Sequence, residues 1–274
     1  MTALAIETGI EPEYENALMD AAKRHGWEVL RVVHVPFGGG FVWEKSNTAV
    51  PSDVLRRTDV WLHGSIQAAK GAQTATSWKV HAPWNDLRCS SYYPLLRDFL
   101  FQREWFFTTL ESLKAEHRDI FRSSVVQDRS IFVRPDGNDK VFTGGCVSED
   151  GFEESYKLMT FYEPPPNTVV VVARPQKILA EARFLVVDRK VVTGSYYRTG
   201  GQTVRLEAGG QLTVKAEEML QNCLANGFDP APSWVLDLAD DGNEWRIIEV
   251  GASSCCGLYK CDLDKFVAAL GQTL

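Results

Sequence analysis

No apolar run in this sequence approaches the ~20 residues that a membrane-spanning helix needs, so nothing in it reads as a helical bilayer span. No run of Lys or Arg exceeds two residues, and 29 basic against 36 acidic residues leave a net charge of −7. That excludes the broad basic face or tail with which nucleic-acid binders grip phosphate, while leaving room for a local basic channel. Met1 to Gly9 has no basic segment and carries Glu7 inside its short apolar stretch, so no secretory signal is expected and the expected location is cytoplasmic. Cysteine is sparse: six residues, at 89, 146, 223, 255, 256 and 261, are too scattered for a disulfide framework. Cys255, Cys256 and Cys261 lie closer together, yet they lack paired Cys-x-x-Cys spacing and have no histidine nearby. Reduced, partly packed thiols are expected there rather than structural zinc. A Gly-x-Gly-x-x-Gly is missing after the first apolar stretch, where Thr8-Gly9-Ile10-Glu11-Pro12 stands instead, which argues against a dinucleotide dehydrogenase. Gly38-Gly39-Gly40 lacks the Lys-Ser/Thr and the following helical pattern of a P-loop, so it reads as a mobile loop. No internal repeat or low-complexity segment is present.

What is present is an ordinary globular composition, 45% hydrophobic and 24% charged over 274 residues, enough for one or two packed domains. Residues 3–8 read as a buried strand. Glu13 to Arg24 places Tyr14, Ala17, Leu18 and Ala21 on one helical face, Gly26 sits where a helix ends, and Glu28 to Val35 is a β-branched strand. Strand, helix, glycine, strand is a βαβ signature. Val60 to Gly64 reads as a further strand, Ile66 to Gly71 as a short helix and Lys79 to Pro83 as a fourth strand. Tyr92 to Phe107 is apolar at helical spacing, and Thr109 to Ile120 continues as a more polar helix. The expected fold class is therefore α/β and α+β: a small open α/β domain over residues 1–115, then a second region over 116–274. That second region should hold a strand at 131–133, a turn at 136–138, a helix at 150–159 and a strand at 168–173. Hairpins at 182–197 and 233–250 and helices at 212–225 and 262–270 complete it.

Charged residues on otherwise apolar strands carry the chemistry, because a buried charge is costly unless it is paired or ligated. Arg134 follows Ile-Phe-Val, Glu181 and Arg183 precede Phe-Leu-Val-Val, and Arg198 ends a strand; Asp237 and Glu249 each sit inside apolar strands. The Asp240-Asp241-Gly242-Asn243 turn puts Asp237 and Glu249 near each other across a ladder. Two adjacent carboxylates call for a cation, and Mg²⁺ is commonly held by such a pair together with phosphate oxygens. Arginines on neighbouring strands suit those phosphates.

Over residues 130–262 this ordered set resembles the ATP-grasp superfamily, in a branch with Arg in place of the usual Lys. Ile131 to Arg134-Pro135 looks like the family's Lys-Pro strand, and Lys140 to Gly145 looks like its phosphate-covering loop. Val169 to Arg174 looks like its hinge, and Glu181-Ala-Arg183 like its Glu-x-Arg strand; the strands of Asp237 and Glu249 look like its two metal-bearing strands. The resemblance implies ATP-grasp lobes closing on Mg-ATP and an ATP-dependent carboxylate–amine ligase working through an acylphosphate. It implies Asp237 and Glu249 as Mg²⁺ ligands, and Arg134, Lys140, Val172, Ala173, Arg174, Glu181, Arg183 and Arg198 as nucleotide-binding residues. Arg183 and Arg198 would act on the transferring group, and Glu181 could accept from the ribose. A D237N change is expected to abolish turnover. Small-molecule or peptide carboxylates and amines are the implied partners, with no membrane partner. Two features depart from the pattern. Glu249-Val-Gly251 stands where the family has Glu-x-Asn, so Ser253, Ser254 or water would complete the coordination. The first phosphate-binding Lys has only Lys114 and Arg122 as candidates. A phosphotransferase of the same fold and a degenerate binding module remain alternatives.

Overall fold

The computed structural model describes residues 2–36 and 40–273. The expected Gly38–Gly39 portion of the glycine loop lies outside the described residues. β1 (Ala3–Glu7), α1 (Pro12–Arg24) and β2 (Glu28–Val35) form the anticipated βαβ unit, with β1 and β2 parallel. Gly26 at φ +73° takes the left-handed turn that releases the chain from α1. β3 (Gly40–Trp43) folds back antiparallel onto β2, and β4 (Val60–His63) joins β1 in parallel, giving the order β3-β2-β1-β4. Between them lies the single turn α2 (Ser52–Leu55). α3 (Ile66–Ala75) starts on Ser65, whose hydroxyl accepts from the Ala68 amide, and runs a turn beyond the expected Gly71.

Two expected elements differ. Lys79 to Pro83 forms only an isolated bridge to Trp61, because its backbone is committed elsewhere: the His81 amide to Ser254 and the Ala82 carbonyl to Gln73. The apolar stretch from Tyr92 to Phe107 is not one helix. α4 (Cys89–Leu96) is followed by a 3₁₀ turn at Arg97–Phe99, and the chain then extends into β5 (Trp105–Thr109). Aromatic and β-branched residues favour that strand, and it puts Trp105 and Phe107 against one core and Phe106 against another.

α5 (Leu110–Ile120), β6 (Ser130–Pro135), β7 (Gly145–Ser148), α6 (Phe152–Met159) and β8 (Val169–Ala173) complete a lobe around the antiparallel sheet β5-β8-β6-β7, with its own apolar core. The expected division at 115/116 falls inside α5, and β5 ahead of it pairs with β8 behind it. The third sheet, β11-β10-β9-β12-β13, is also antiparallel. It comprises β9 (Ala180–Val187), β10 (Lys190–Thr199), β11 (Gln202–Glu207), β12 (Ser233–Asp240) and β13 (Trp245–Ala252). α7 (Gln211–Ala225) packs on one face. α8 (Leu263–Leu270) packs against α1, and Phe266 meets Trp61 edge-on at 5.6 Å.

A buried polar chain ties the first sheet to the third. His81 Nδ1 lies 2.6 Å from Ser233 Oγ, Ser233 Oγ lies 2.6 Å from Ser253 Oγ, and Ser253 Oγ donates to the Ser233 carbonyl. This order is complete when neutral His81 carries its proton on Nδ1. His63 Nδ1 faces the Ser253 carbonyl at 3.2 Å. Burial pushes both imidazoles from an ordinary 6.5 down to about 4. Between those values the unfolded chain binds protons that the folded chain refuses, so stability is complete above about 6.5 and falls as the pH drops toward 4. Urea unfolding at about pH 7.5 and about pH 5.5 should differ by about 3 kcal/mol for the pair. His81→Gln should roughly halve the difference, and a flat profile across this window would remove the assignment.

Candidate active site

The period-2 alternation of strands sorts each charged residue to one side of its sheet. On β6, Ile131 and Val133 enter the lobe core, while Phe132 and Arg134 point the other way. On β9, Ala182, Phe184 and Val186 enter the main core. Leu185 and Val187 lie on the opposite face beneath α8, and Glu181 and Arg183 continue that face to the cavity lining. Asp237 continues the face of Val235 in the same way. The result is a cavity of about 710 Å³ between the lobe sheet and the third sheet.

Two one-residue bulges shape it. Asp237 pairs directly with Glu249, but Leu238 pairs with Ile247, so Ile248 is the extra residue and also lines the cavity. On β10, Tyr196 pairs with Ala182 and Arg198 with Glu181, which leaves Tyr197 extra. The bulge lets adjacent residues reach one carboxylate: Tyr197 Oη donates to Glu181 Oε2 at 2.8 Å and Arg198 donates to Oε1 at 3.1 Å. Bulges re-aim side chains in this manner beside functional sites.

The two candidate metal carboxylates are held differently. Asp237, only 2% exposed, receives Arg183 on both oxygens, at 2.9 and 2.6 Å. Arg183 also donates to the Gly257 carbonyl at 3.1 Å and lies 5.7 and 5.2 Å from the ring centres of Tyr197 and Tyr259, which stack on each other. Glu249 is 37% exposed and accepts from Arg134 on Oε1 alone, at 2.7 Å. Burial pushes the Asp237 carboxyl above its ordinary value against the pull of Arg183. Burial also acts to raise Glu249, but Arg134, with Arg183 and Lys140 farther off, overcomes it and holds that carboxyl below the ordinary range. Glu249 is thus the ionised, reachable oxygen donor, and Asp237 is already committed.

Of the residues expected from the sequence, Arg134, Lys140, Arg174, Glu181, Arg183, Arg198, Asp237 and Glu249 all line this cavity. Val172 and Ala173 do not. Both are fully buried, and their strand is paired on its two sides with β5 and β6. The chain that follows, through Gln176 and Ile178, reaches the cavity instead. Ser253 and Ser254 are spent in the polar chain to His81 and cannot replace the family's amide beside Gly251. A Cβ built on Gly251 meets Val235 only at 3.5 Å, so sterics do not impose that glycine. Lys114 and Arg122 pair with Glu153 and Asp119 on the lobe surface, away from the cavity. Among the described residues no cluster of three or more His, Cys, Asp or Glu could hold a metal by itself. The thiols of Cys255 and Cys256 are pushed up by burial to about 12 and about 11, and that of Cys261 is also raised, which leaves them protonated.

Gln102 was not anticipated. It is 5% exposed, lines the cavity beside Phe101 and Phe132, and its Oε1 has no hydrogen-bond partner among the described residues. Phe101, Phe132, Ile178 and Ile248 give the cavity apolar lining of the kind that a flat ring packs against. The same lining carries five basic side chains against three carboxylates, with Arg174 also paired to Glu104, inside a chain whose net charge is −7. A polyphosphate fits that excess.

A sequence profile of the ATP-grasp domain, R-to-K clade family 3, matches residues 43–270. Among curated proteins no sequence matched. Among solved structures, D-cycloserine synthetase DcsG is similar over 99% of both chains, with 13% identity and a TM-score of 0.65. D-alanyl-alanine synthetase A from Vibrio cholerae matches over 91% of this chain and 88% of its own, with 14% identity and a TM-score of 0.62. The ATP-grasp ligase PsnB, complexed with minimal precursor, matches over 100% of both chains, with 12% identity and a TM-score of 0.57. At such identities the likeness is one of fold, and it agrees with the mixed α/β architecture of three sheets. The family match spans most of the chain and every charged residue of the cavity, and on that ground the chain belongs to the ATP-grasp family, in its R-to-K clade.

Proposed function

We propose that this protein is an ATP-dependent ligase that joins a carboxylate to an amine or a related nucleophile. The observation that supports it most directly is one cavity whose lining combines apolar side chains for a base with basic side chains for phosphates, bordered by an ionised carboxylate. Phe101, Phe132, Ile178 and Ile248 would enclose the purine, and Gln102 would offer its amide to the edge of the ring. Arg134, Lys140 and Arg198 would take the phosphate oxygens. Arg183, already locked to Asp237, would present a fixed positive edge.

The carboxylates also fit a hard divalent cation, with Glu249 as the direct ligand and Asp237 behind it as the partner of Arg183. When bound, Mg²⁺ would neutralise phosphate charge. The substrate carboxylate would take the γ-phosphoryl group and release ADP; the nucleophile would then displace phosphate from the acylphosphate. The protein's part is positioning and charge stabilisation. Two exposed cations are free to follow the transferring group: Arg198, held among the described residues by Glu181, and Lys140, which has no side-chain hydrogen bond or ion pair among them.

Calorimetry of ATP binding with and without Mg²⁺ tests the reading. Mg²⁺-dependent binding in the micromolar range is expected, weakened roughly tenfold or more in Arg198→Met. No binding at millimolar ATP would leave only the fold. A phosphoester product in place of an amide would assign phosphotransferase chemistry to the same site.

A further inference from the structure

A second groove, of about 320 Å³, adjoins the nucleotide cavity and shares Gly137 and Asn138 with it. The partition between them is fixed at both ends. Asp136, 4% exposed, accepts from the Ser90 amide at 2.6 Å and from its hydroxyl at 3.0 Å, while Asn138 Nδ2 donates to the Val250 carbonyl at 2.6 Å. One wall is the indole of Trp84. Its N–H donates to Gln73 Oε1 at 2.7 Å, and the Gln73 amide in turn donates to the Ala82 carbonyl at 2.9 Å, so the ring is oriented in advance. Lys70 and Arg88 supply the charge. Lys70 lies 5.5 Å from the indole centre and 3.3 Å from Asp139. Arg88 is exposed and has no side-chain hydrogen bond or ion pair among the described residues.

Asp139 is the one carboxylate among the lining residues, and it is engaged by Lys70. Arg88 therefore leaves unbalanced positive charge in a groove that also holds a pre-oriented indole, in a chain that is otherwise acidic. A guanidinium and an ammonium sharing a groove with an indole match a molecule with an acid group on a short carbon skeleton. The volume is at the lower end for ligand pockets, which suits a small molecule or a chain end rather than a folded surface. We propose that this groove is the subsite of a second substrate and that it takes a carboxylate-bearing small molecule or peptide end. Its acid group is held by Arg88 and Lys70, and its skeleton lies on Trp84. The inference rests on the ligase reading for its purpose and on the groove for its chemistry.

The test uses the full chain loaded with Mg²⁺ and a non-hydrolysable ATP analogue, titrated by tryptophan fluorescence. The probes are N-acetylglutamate as the free acid and an acetylated acidic dipeptide as the chain end. N-acetylglutaminamide and N-acetyllysinamide serve as neutral and cationic comparators. Saturable binding of the acidic probes is expected, with the signal lost in Trp84→Phe. Arg88→Ala should weaken binding roughly ten- to hundredfold and Arg88→Lys should restore part of it, with affinity for the ATP analogue unchanged in both. The tighter of the two acids identifies the source. Equal binding of the neutral or cationic comparator, no binding of either acid, or indifference to Arg88→Ala overturns the proposal. Failure of the wild type to bind the analogue strikes the ATP reading instead, and it is seen before any acid is added.

Discussion

Glu249→Gln should lower ATP-dependent turnover about a hundred- to thousandfold and leave the fold intact. Glutamine keeps an oxygen for Arg134, so the 2.7 Å contact survives in kind while the charge is lost. Glu249 is the carboxylate that Arg134 keeps ionised and that still opens to the cavity at 37% exposure. Steady-state ADP release against Mg²⁺ concentration is the measurement. A ligand role predicts that the variant needs much more Mg²⁺ for half-maximal rate; a role confined to anchoring Arg134 predicts a lower rate at an unchanged Mg²⁺ requirement. Wild-type turnover and wild-type Mg²⁺ dependence together would sink the assignment. Gly251 offers a companion variant, since a side chain there has room beside Val235.

Much of this site was legible in the sequence because a charge inside an apolar strand needs a reason to be there. Glu181, Arg183 and Asp237 stand between buried residues, Arg134 and Glu249 each follow or precede a core valine, and their strands carry all five to a common cavity. The hairpin count also brought Asp237 opposite Glu249. What sequence could not supply was the pairing. It suggested two acids sharing a cation and arginines waiting for phosphate; the structure pairs each acid with its own arginine before any ligand arrives. The bulges at Tyr197 and Ile248 have no local sequence mark, since one extra residue changes register without changing composition. Gln102 escaped notice because an amide between Phe101 and Arg103 in a loop has no periodicity to violate. The run around it misled for a related reason. From Tyr92 to Phe107 apolar residues are dense enough to satisfy a helical template, whereas β5 is set by pairing with β8, some 60 residues later.

The strongest structural consequence falls on Arg183. Arg183→Met should destabilise the fold by about 3–5 kcal/mol, because it leaves the Asp237 carboxylate buried without its partner. Both Asp237 oxygens accept from that guanidinium, and Asp237 is 2% exposed. The methionine itself should pack well, since Tyr197 and Tyr259 already flank the position. The penalty therefore belongs to the stranded charge rather than to a cavity, and a second substitution separates the two. Adding Asp237→Leu to Arg183→Met removes the charge and should recover most of the lost stability, as expected where paired buried ions are replaced together by apolar groups of similar size. The double variant would be stable and inactive, with the site's fixed positive edge gone. Urea unfolding of the wild type, both single variants and the double closes the cycle. Equal losses in Arg183→Met and in the double variant would mean that packing around the two tyrosines, and not the ion pair, holds this corner of the third sheet.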